Sequence, residues 1–279
     1  MKRYNKYRVC TSEYGLAIDE LILKIEKNQD FFFLRNAYPA ALQLYYDGLI
    51  EKSGYSWNKH EKVLNELYSA LQGFFGAYYN KDRIRFNFYK RNAREAFLDN
   101  RKLIIEYSNK NVAKHRHLEG MLEDVIRSFR LLKDISKNWK FDSLVPIASG
   151  GFEPGFAAYY IYPEANFFSV RYSSFSRGDE DVLIPSEQPF GELSKAISHS
   201  DVLLIDDIIY KGDTLRSVYS FAVENGAKRV FCLAVNMQTE ILKNRLVLKE
   251  ASFEVDNAVF SSNRETWFFE IVDDVSLRI

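Results

Sequence analysis

Nine consecutive residues, Asp206-Asp207-Ile208-Ile209-Tyr210-Lys211-Gly212-Asp213-Thr214, hold the densest chemistry in the sequence. Ahead of them Val202-Leu203-Leu204-Ile205 is an uninterrupted apolar run of strand length. Behind them Thr214 to Asn225 has helical spacing, and Gly226 is placed as a C-terminal stop. The segment therefore reads as a strand that delivers two carboxylates, a short loop, and a helix start. The first N–H groups of a helix lack partners and the helix dipole favours negative charge, so the loop and helix start form an anion site. Gly212 lets the backbone approach an anion closely, Lys211 adds positive charge, and Thr214 adds a hydroxyl. Two acids beside a bound phosphate repel it unless they grip something else. Adjacent carboxylates accept hydrogen bonds from a vicinal diol, so a sugar phosphate of ribose type satisfies the acids and the loop together. Taken alone, paired aspartates at a strand end also serve as a plain helix cap or turn.

Further apolar runs follow the same plan. Leu144 to Ala148 ends in Ser149-Gly150-Gly151, with Pro154 suited to the first turn of a following helix. Phe167 to Tyr172 and Val230 to Val235 are two more runs. Continuous apolar strands joined by helices predict a buried parallel sheet of βαβ units, in which ligands sit at the carboxyl ends of the strands. Both Gly150-Gly151 and Asp206-Asp207 fall at such ends.

Four apolar residues, two acids, a short variable stretch, a glycine and a closing threonine resemble the 5-phosphoribosyl 1-pyrophosphate (PRPP) binding motif of type I phosphoribosyltransferases. The resemblance covers about residues 140–279 and implies a Rossmann-type α/β fold with a C-terminal hood. It implies that Asp206 and Asp207 bind the ribose hydroxyls and touch Mg²⁺ only indirectly, through ribose or water. Tyr210, Lys211, Gly212, Asp213 and Thr214 would hold the 5′-phosphate. Val145 to Gly151 resembles the family's pyrophosphate loop, in which Ser149, Gly150 and Gly151 would offer backbone amides. Arg171 to Asp179 resembles the mobile catalytic loop, with Ser174 in a catalytic place and Arg171 and Arg177 as cations for pyrophosphate. The tail from Glu265 to Asp274 is the candidate hood, where Trp267 or Phe268 would stack on a base and Asp273 or Asp274 would accept from it. An edge strand with aromatic packing explains that tail equally well. The implied reaction transfers phosphoribosyl from PRPP to a nucleobase-like nitrogen, with Mg²⁺ and release of pyrophosphate. Tyr210 stands where hypoxanthine-guanine members carry an acid, which argues against that acceptor. Lys211 replaces the usual threonine, Asp213 places an acid in the phosphate loop, and Phe175 replaces a lid tyrosine.

The first half of the chain is different. Residues 1–140 hold 26 Lys/Arg and 17 Asp/Glu, and residues 141–279 hold 12 and 21, so a chain of zero net charge divides into halves of +9 and −9. Such asymmetry predicts two units: an all-α domain over 1–140 for dimerisation or partner binding, and the phosphoribosyltransferase domain over 141–279. Helical spacing marks Ala17 to Ile25, Phe31 to Ile50, Val63 to Tyr79 and His117 to Trp139. The aromatic stripe along these stretches is expected as core packing. Within 81–94, six basic residues interleave with Phe86, Phe88 and Tyr89, either a solvated helix face or a surface for nucleic acid or a protein partner.

No run of eighteen apolar residues exists, and no apolar core follows the basic N-terminus, so neither a membrane helix nor a secretory signal is expected and the location expected is cytoplasmic. Cys10 and Cys232, and the four histidines, form no ligand pattern. Three functions remain: a homodimeric phosphoribosyltransferase, a non-catalytic PRPP or nucleotide sensor associated with nucleic acid, and an effector of a bacterial defence system of retron type or of a toxin system.

Overall fold

The computed structural model of the 279-residue chain describes residues 16–109, 121–148, 150–172, 182–237, 241–249, 251–261 and 266–274. The chain divides into two compact units: Met1–Leu122 with Pro185–Gln188, and Glu123–Ile184 with Pro189–Ile279.

The described part of the first unit is helical: α1 (Ile18–Lys27), α2 (Phe31–Glu51), α3 (Trp57–Tyr79), α4 (Arg83–Asp99) and α5 (Arg101–Tyr107). Two starts are capped by carboxylates. Asp30 accepts from the Phe33 amide and Asp82 from the Arg85 amide. The aromatic stripe forms the core as expected. Tyr38 stacks on Phe97 with centroids 5.1 Å apart and meets the edge of Phe74 at 5.2 Å, while Phe31 stacks on Tyr78 at 3.7 Å. α3 begins at Trp57, six residues before the expected Val63, because Trp57 and His60 are both buried and extend its inward face.

His60 is a pH handle for this unit. Its Nδ1 lies 2.7 Å from the Tyr45 hydroxyl, and the rings of Tyr55 and Tyr107 meet it edge-on. Burial holds its pKa below the usual histidine value; Lys59 and Lys52 act in the same direction and Glu106 opposes them. A folded pKa below the unfolded one means that the unfolded chain binds more protons as pH falls through about 6.5. The first unit is therefore expected to lose stability as pH drops from 8 to 5. Thermal melts of the parent and of His60→Gln across that range check this: the substitution should flatten the slope.

The second unit carries α6 (Met121–Ile135), β1 (Ser143–Ala148), α7 (Phe152–Ile161), β2 (Asn166–Phe167), β3 (Val170–Arg171), α8 (Phe190–Ile197), β4 (Asp201–Ile209), α9 (Asp213–Glu224), β5 (Arg229–Met237), β6 (Ile241–Leu242), β7 (Arg245–Val247), β8 (Ser252–Phe260) and β9 (Trp267–Asp274). The strand order is β2-β1-β4-β5-β9-β8-β7-β6, with β3 also on β1. β2, β3, β1, β4 and β5 run parallel, and β9 joins β5 antiparallel, leading into the antiparallel remainder. This is an α/β fold with a parallel half, and a helical region precedes it. The run from Phe167 to Tyr172 is split into β2 and β3, both paired with β1.

Strand alternation builds two cores. Val202 and Leu204 of β4, with Val230 and Cys232 of β5, pack toward Leu215 and Val218 of α9 and Leu193 of α8. Leu203 and Ile205, with Phe231 and Leu233, pack toward Leu132 and Ile135 of α6 and Ala158 of α7. The second core explains why the units part at 122/123 rather than at the expected 140/141: α6 supplies one layer of it. Among the described residues, no helix is long and apolar enough to cross a membrane.

Candidate functional site

The expected strand tip is longer than the sequence suggested. β1 accompanies β4 only as far as Pro146 opposite Ile205, whereas β5 stays with β4 to Ile209 opposite Met237. Asp206 and Asp207 thus lie inside β4 but beyond its last pairing with β1. Locally, the Asp207 amide donates to Asp206 Oδ1 at 3.0 Å and the Ile208 amide donates to Asp207 Oδ1 at 2.8 Å.

The turn after β1 closes onto one of these acids. A Cβ on Gly150 would lie 2.1 Å from Asp207 Oδ1, so only a glycine lets the turn approach the carboxylate this closely. A Cβ on Gly151 would lie 2.3 Å from the Ile205 carbonyl and 2.6 Å from the Ile147 nitrogen, both backbone atoms. The Gly151 amide donates to the Ile147 carbonyl, and α7 starts at Phe152 with Pro154 in its first turn. Arg171 reaches the same end of β1: its Nη1 donates to the Ala148 carbonyl at 2.9 Å.

Electrostatics set the acids apart from ordinary surface carboxylates. Burial pushes Asp206 well above the usual range, and the Asp207 charge pushes it further. Burial also raises Asp207; amide hydrogen bonds oppose the shift and the Glu153 charge adds to it. Glu153 escaped the sequence reading, although its place in the first turn after Gly150-Gly151 was a usable signal. A buried pair of acids with raised pKa values, Asp206 and Asp207, favours partners that donate hydrogen bonds or carry positive charge.

Beyond β4 the loop runs through Tyr210, which is 46% exposed, and half-buried Lys211 to Gly212. Gly212 has φ 98°, the left-handed region, and a Cβ there would strike the Ala251 and Leu248 side chains at 2.8 and 2.9 Å. It is the N-cap of α9 and, being glycine, has no side chain with which to cap that helix. The first turn, with Asp213 and Thr214 half-buried, therefore turns its N-terminal end to the loop without a side-chain acceptor from its N-cap residue. Arg216 in the same turn places Nε 3.7 Å from Oδ2 of buried Asp274 on β9. This ion pair was also missed, since its partners are 58 residues apart in sequence.

The expected base pocket is not assembled as read. β9 is an interior strand between β5 and β8, not an edge strand. Phe268 is fully buried, stacked on Phe231 with centroids 5.7 Å apart and flanked by Phe141 and Trp139. Trp267 points into the opposite core and touches the Phe260 ring. Alternation along an interior strand consumes both rings as core. Asp273 sits beside Asp274, and both carboxylates raise Tyr219, whose pKa is lifted chiefly by burial. Ser149, Ser174 and Arg177 lie outside the described residues. The site that is described brings together Gly150, Gly151, Arg171, Asp206 and Asp207, with the loop from Tyr210 to Thr214 continuing directly from β4.

Residues 119–266 match the family model of the phosphoribosyl transferase domain. Among solved structures, a purine phosphoribosyltransferase from Pyrococcus horikoshii Ot3 is 20% identical with TM-score 0.34, covering 42% of this chain and 74% of that one. A hypoxanthine phosphoribosyltransferase from Staphylococcus aureus is 18% identical with TM-score 0.33, covering 46% and 71%. An orotate phosphoribosyltransferase from Mycobacterium tuberculosis H37Rv is 17% identical with TM-score 0.27, covering 46% and 66%. No curated protein matches the chain.

Proposed function

This chain belongs to the type I phosphoribosyltransferase family, and we propose that its second unit transfers the 5-phosphoribosyl group of PRPP to a nucleobase-like nitrogen, with release of pyrophosphate. The observation that carries the reading is the contact of the Gly150 turn with Asp207, 2.1 Å from a hypothetical Cβ to the carboxylate. It joins a backbone-lined turn suited to pyrophosphate to an acid suited to ribose.

In the proposed reaction the bond from C1 to the pyrophosphate oxygen breaks and a bond from C1 to the acceptor nitrogen forms. The transition state has oxocarbenium character, as in glycoside chemistry. The protein's part is placement and charge stabilisation. Asp206 and Asp207 accept hydrogen bonds from the ribose hydroxyls and set negative charge beside the positive ring. Lys211, Gly212 and Thr214, with the start of α9, hold the 5′-phosphate. Amides of the Gly150-Gly151 turn hold pyrophosphate, and Arg171, already at the end of β1, supplies a cation for it.

Mg²⁺ fits these residues as a cation held mainly by substrate oxygens. Asp206 and Asp207 are buried acids with the Glu153 charge acting on Asp207, a setting in which a cation would offset the cost of ionising them, while among the described residues no cluster of three or more His, Cys, Asp or Glu stands ready as a cage. When bound, Mg²⁺ would neutralise the departing pyrophosphate, and Asp206 and Asp207 would touch it through ribose or water.

The test is pyrophosphate release from PRPP and Mg²⁺ across a panel of purine, pyrimidine and other nitrogen acceptors. Release with at least one acceptor, lost in Asp207→Asn, is the expected result. PRPP binding with no release for any acceptor would replace this reading with the non-catalytic sensor.

A further inference from the structure

We propose that the exposed face of α4 binds single-stranded nucleic acid. The surface lies wholly within the first unit and is independent of the phosphoribosyl site. Between Arg83 and Arg94 the helix carries five basic residues and no acid. Its N-terminal half is solvent-exposed at Arg83, Ile84, Arg85, Asn87, Phe88 and Arg91.

Two features separate this face from an ordinary solvated helix. The first is exposed apolar surface among the cations: Ile84 is 91% exposed, more than any other large apolar side chain among the described residues, and Phe88 is 50% exposed. Residues 84, 88 and 91 are four and three apart, so they share one stripe. The second is the pairing of ring and cation on that stripe. The Arg91 guanidinium sits over the Phe88 ring, 5.9 Å from its centroid, while Phe86 turns inward against Phe31 and Phe74. The ion pairs that engage these cations are long and exposed, Arg85 to Asp82 at 3.6 Å and Arg91 to Glu95 at 3.8 Å, and cost little to exchange for a phosphate.

A flat aromatic face with a guanidinium beside it is a platform on which an unpaired base can stack, and the flanking cations follow a phosphodiester chain. A duplex offers phosphates but no free base face, so the stripe favours single strands. A second copy of this helix would bring like charges together, so charge complementarity selects an anionic partner.

The experiment is fluorescence anisotropy of the full chain with labelled 20-mer RNA, 20-mer DNA and the matching duplexes, over a salt series. Tighter binding of one or both single strands than of duplex is expected, with a log–log salt slope of about −2 to −3 if three or four phosphates are engaged. The RNA and DNA arms identify which strand is the natural one. Phe88→Ala should weaken binding about 5- to 100-fold, and Arg83→Gln/Arg85→Gln should flatten the salt slope. These positions are exposed, so unchanged circular dichroism melts are the control for folding. Absence of binding at low salt, equal or tighter binding of duplex, or binding indifferent to both variants would overturn the proposal. So would self-association abolished by Ile84→Asp in a chain that binds no oligonucleotide, which would assign the face to a second copy.

Discussion

The Asp206→Asn/Asp207→Asn variant is expected to lose PRPP binding and yet to melt higher than the parent at neutral pH. Both carboxyls are pushed up by burial, and Asp206 further by the Asp207 charge. Their folded pKa values thus lie above those of the unfolded chain. The stabilising contribution of such groups is present below the unfolded carboxylate pKa and is lost as pH rises through the folded value. At pH 7 the ionised pair opposes the fold. Asparagine removes the charge, and its Oδ1 keeps the two local bonds from the Asp207 and Ile208 amides. The gain should amount to about 2–4 °C for each kcal/mol of repulsion relieved, and should vanish toward pH 4. Each lost carboxylate–hydroxyl bond should weaken PRPP by about 10- to 100-fold. Calorimetric melts at several pH values, paired with PRPP titrations, separate the two effects. A variant that melts lower at neutral pH while still binding PRPP would contradict both halves of the expectation.

Two neighbouring glycines should fail in opposite ways. Gly151→Ala sets its methyl against the backbone of β4 and β1, with the Ile205 carbonyl at 2.3 Å and the Ile147 nitrogen at 2.6 Å. Its φ of −71° suits alanine, so the whole cost is steric. The strands cannot yield cheaply, and a loss of about 2–3 kcal/mol is expected from forced overpacking. Gly150→Ala meets the Asp207 side chain instead, at 2.1 Å. That carboxylate can rotate away at smaller cost to stability, but it then leaves the ribose position. Gly150→Ala should therefore keep most of its stability and lose at least about tenfold in PRPP affinity, the loss of one charge-assisted hydrogen bond. Urea unfolding curves and PRPP titrations on the two variants should rank them in opposite order.

The elements around the site were legible because their signals are local. Val202 to Ile205 and Val230 to Val235 are apolar runs that became β4 and β5, and Thr214 to Asn225 with Gly226 became α9, which ends at Glu224 with Gly226 at φ 81°. The glycine turn and the paired acids were visible as residues. Their contact was not, because it depends on β1 stopping short of β4, a matter of register between strands about 60 residues apart.

The two readings of the tail, base pocket or aromatic packing, could not be separated in the sequence for the same reason. Trp267 and Phe268 look like stacking rings in isolation. Once β9 enters the sheet between β5 and β8, alternation sends one ring into each core. The ion pair of Arg216 with Asp274 follows from that placement and leaves no trace in either local sequence. In the helical unit, by contrast, the aromatic stripe was read correctly as packing, since helical periodicity carries its own inward face.

The most direct test of the central claim is an isothermal titration of PRPP with Mg²⁺ into the full chain, repeated with the Asp206→Asn/Asp207→Asn variant. Saturable binding with one site per chain is predicted. An absence of binding, or binding that survives unchanged in the Asp206→Asn/Asp207→Asn variant, would contradict the assignment of this site to a ribose phosphate.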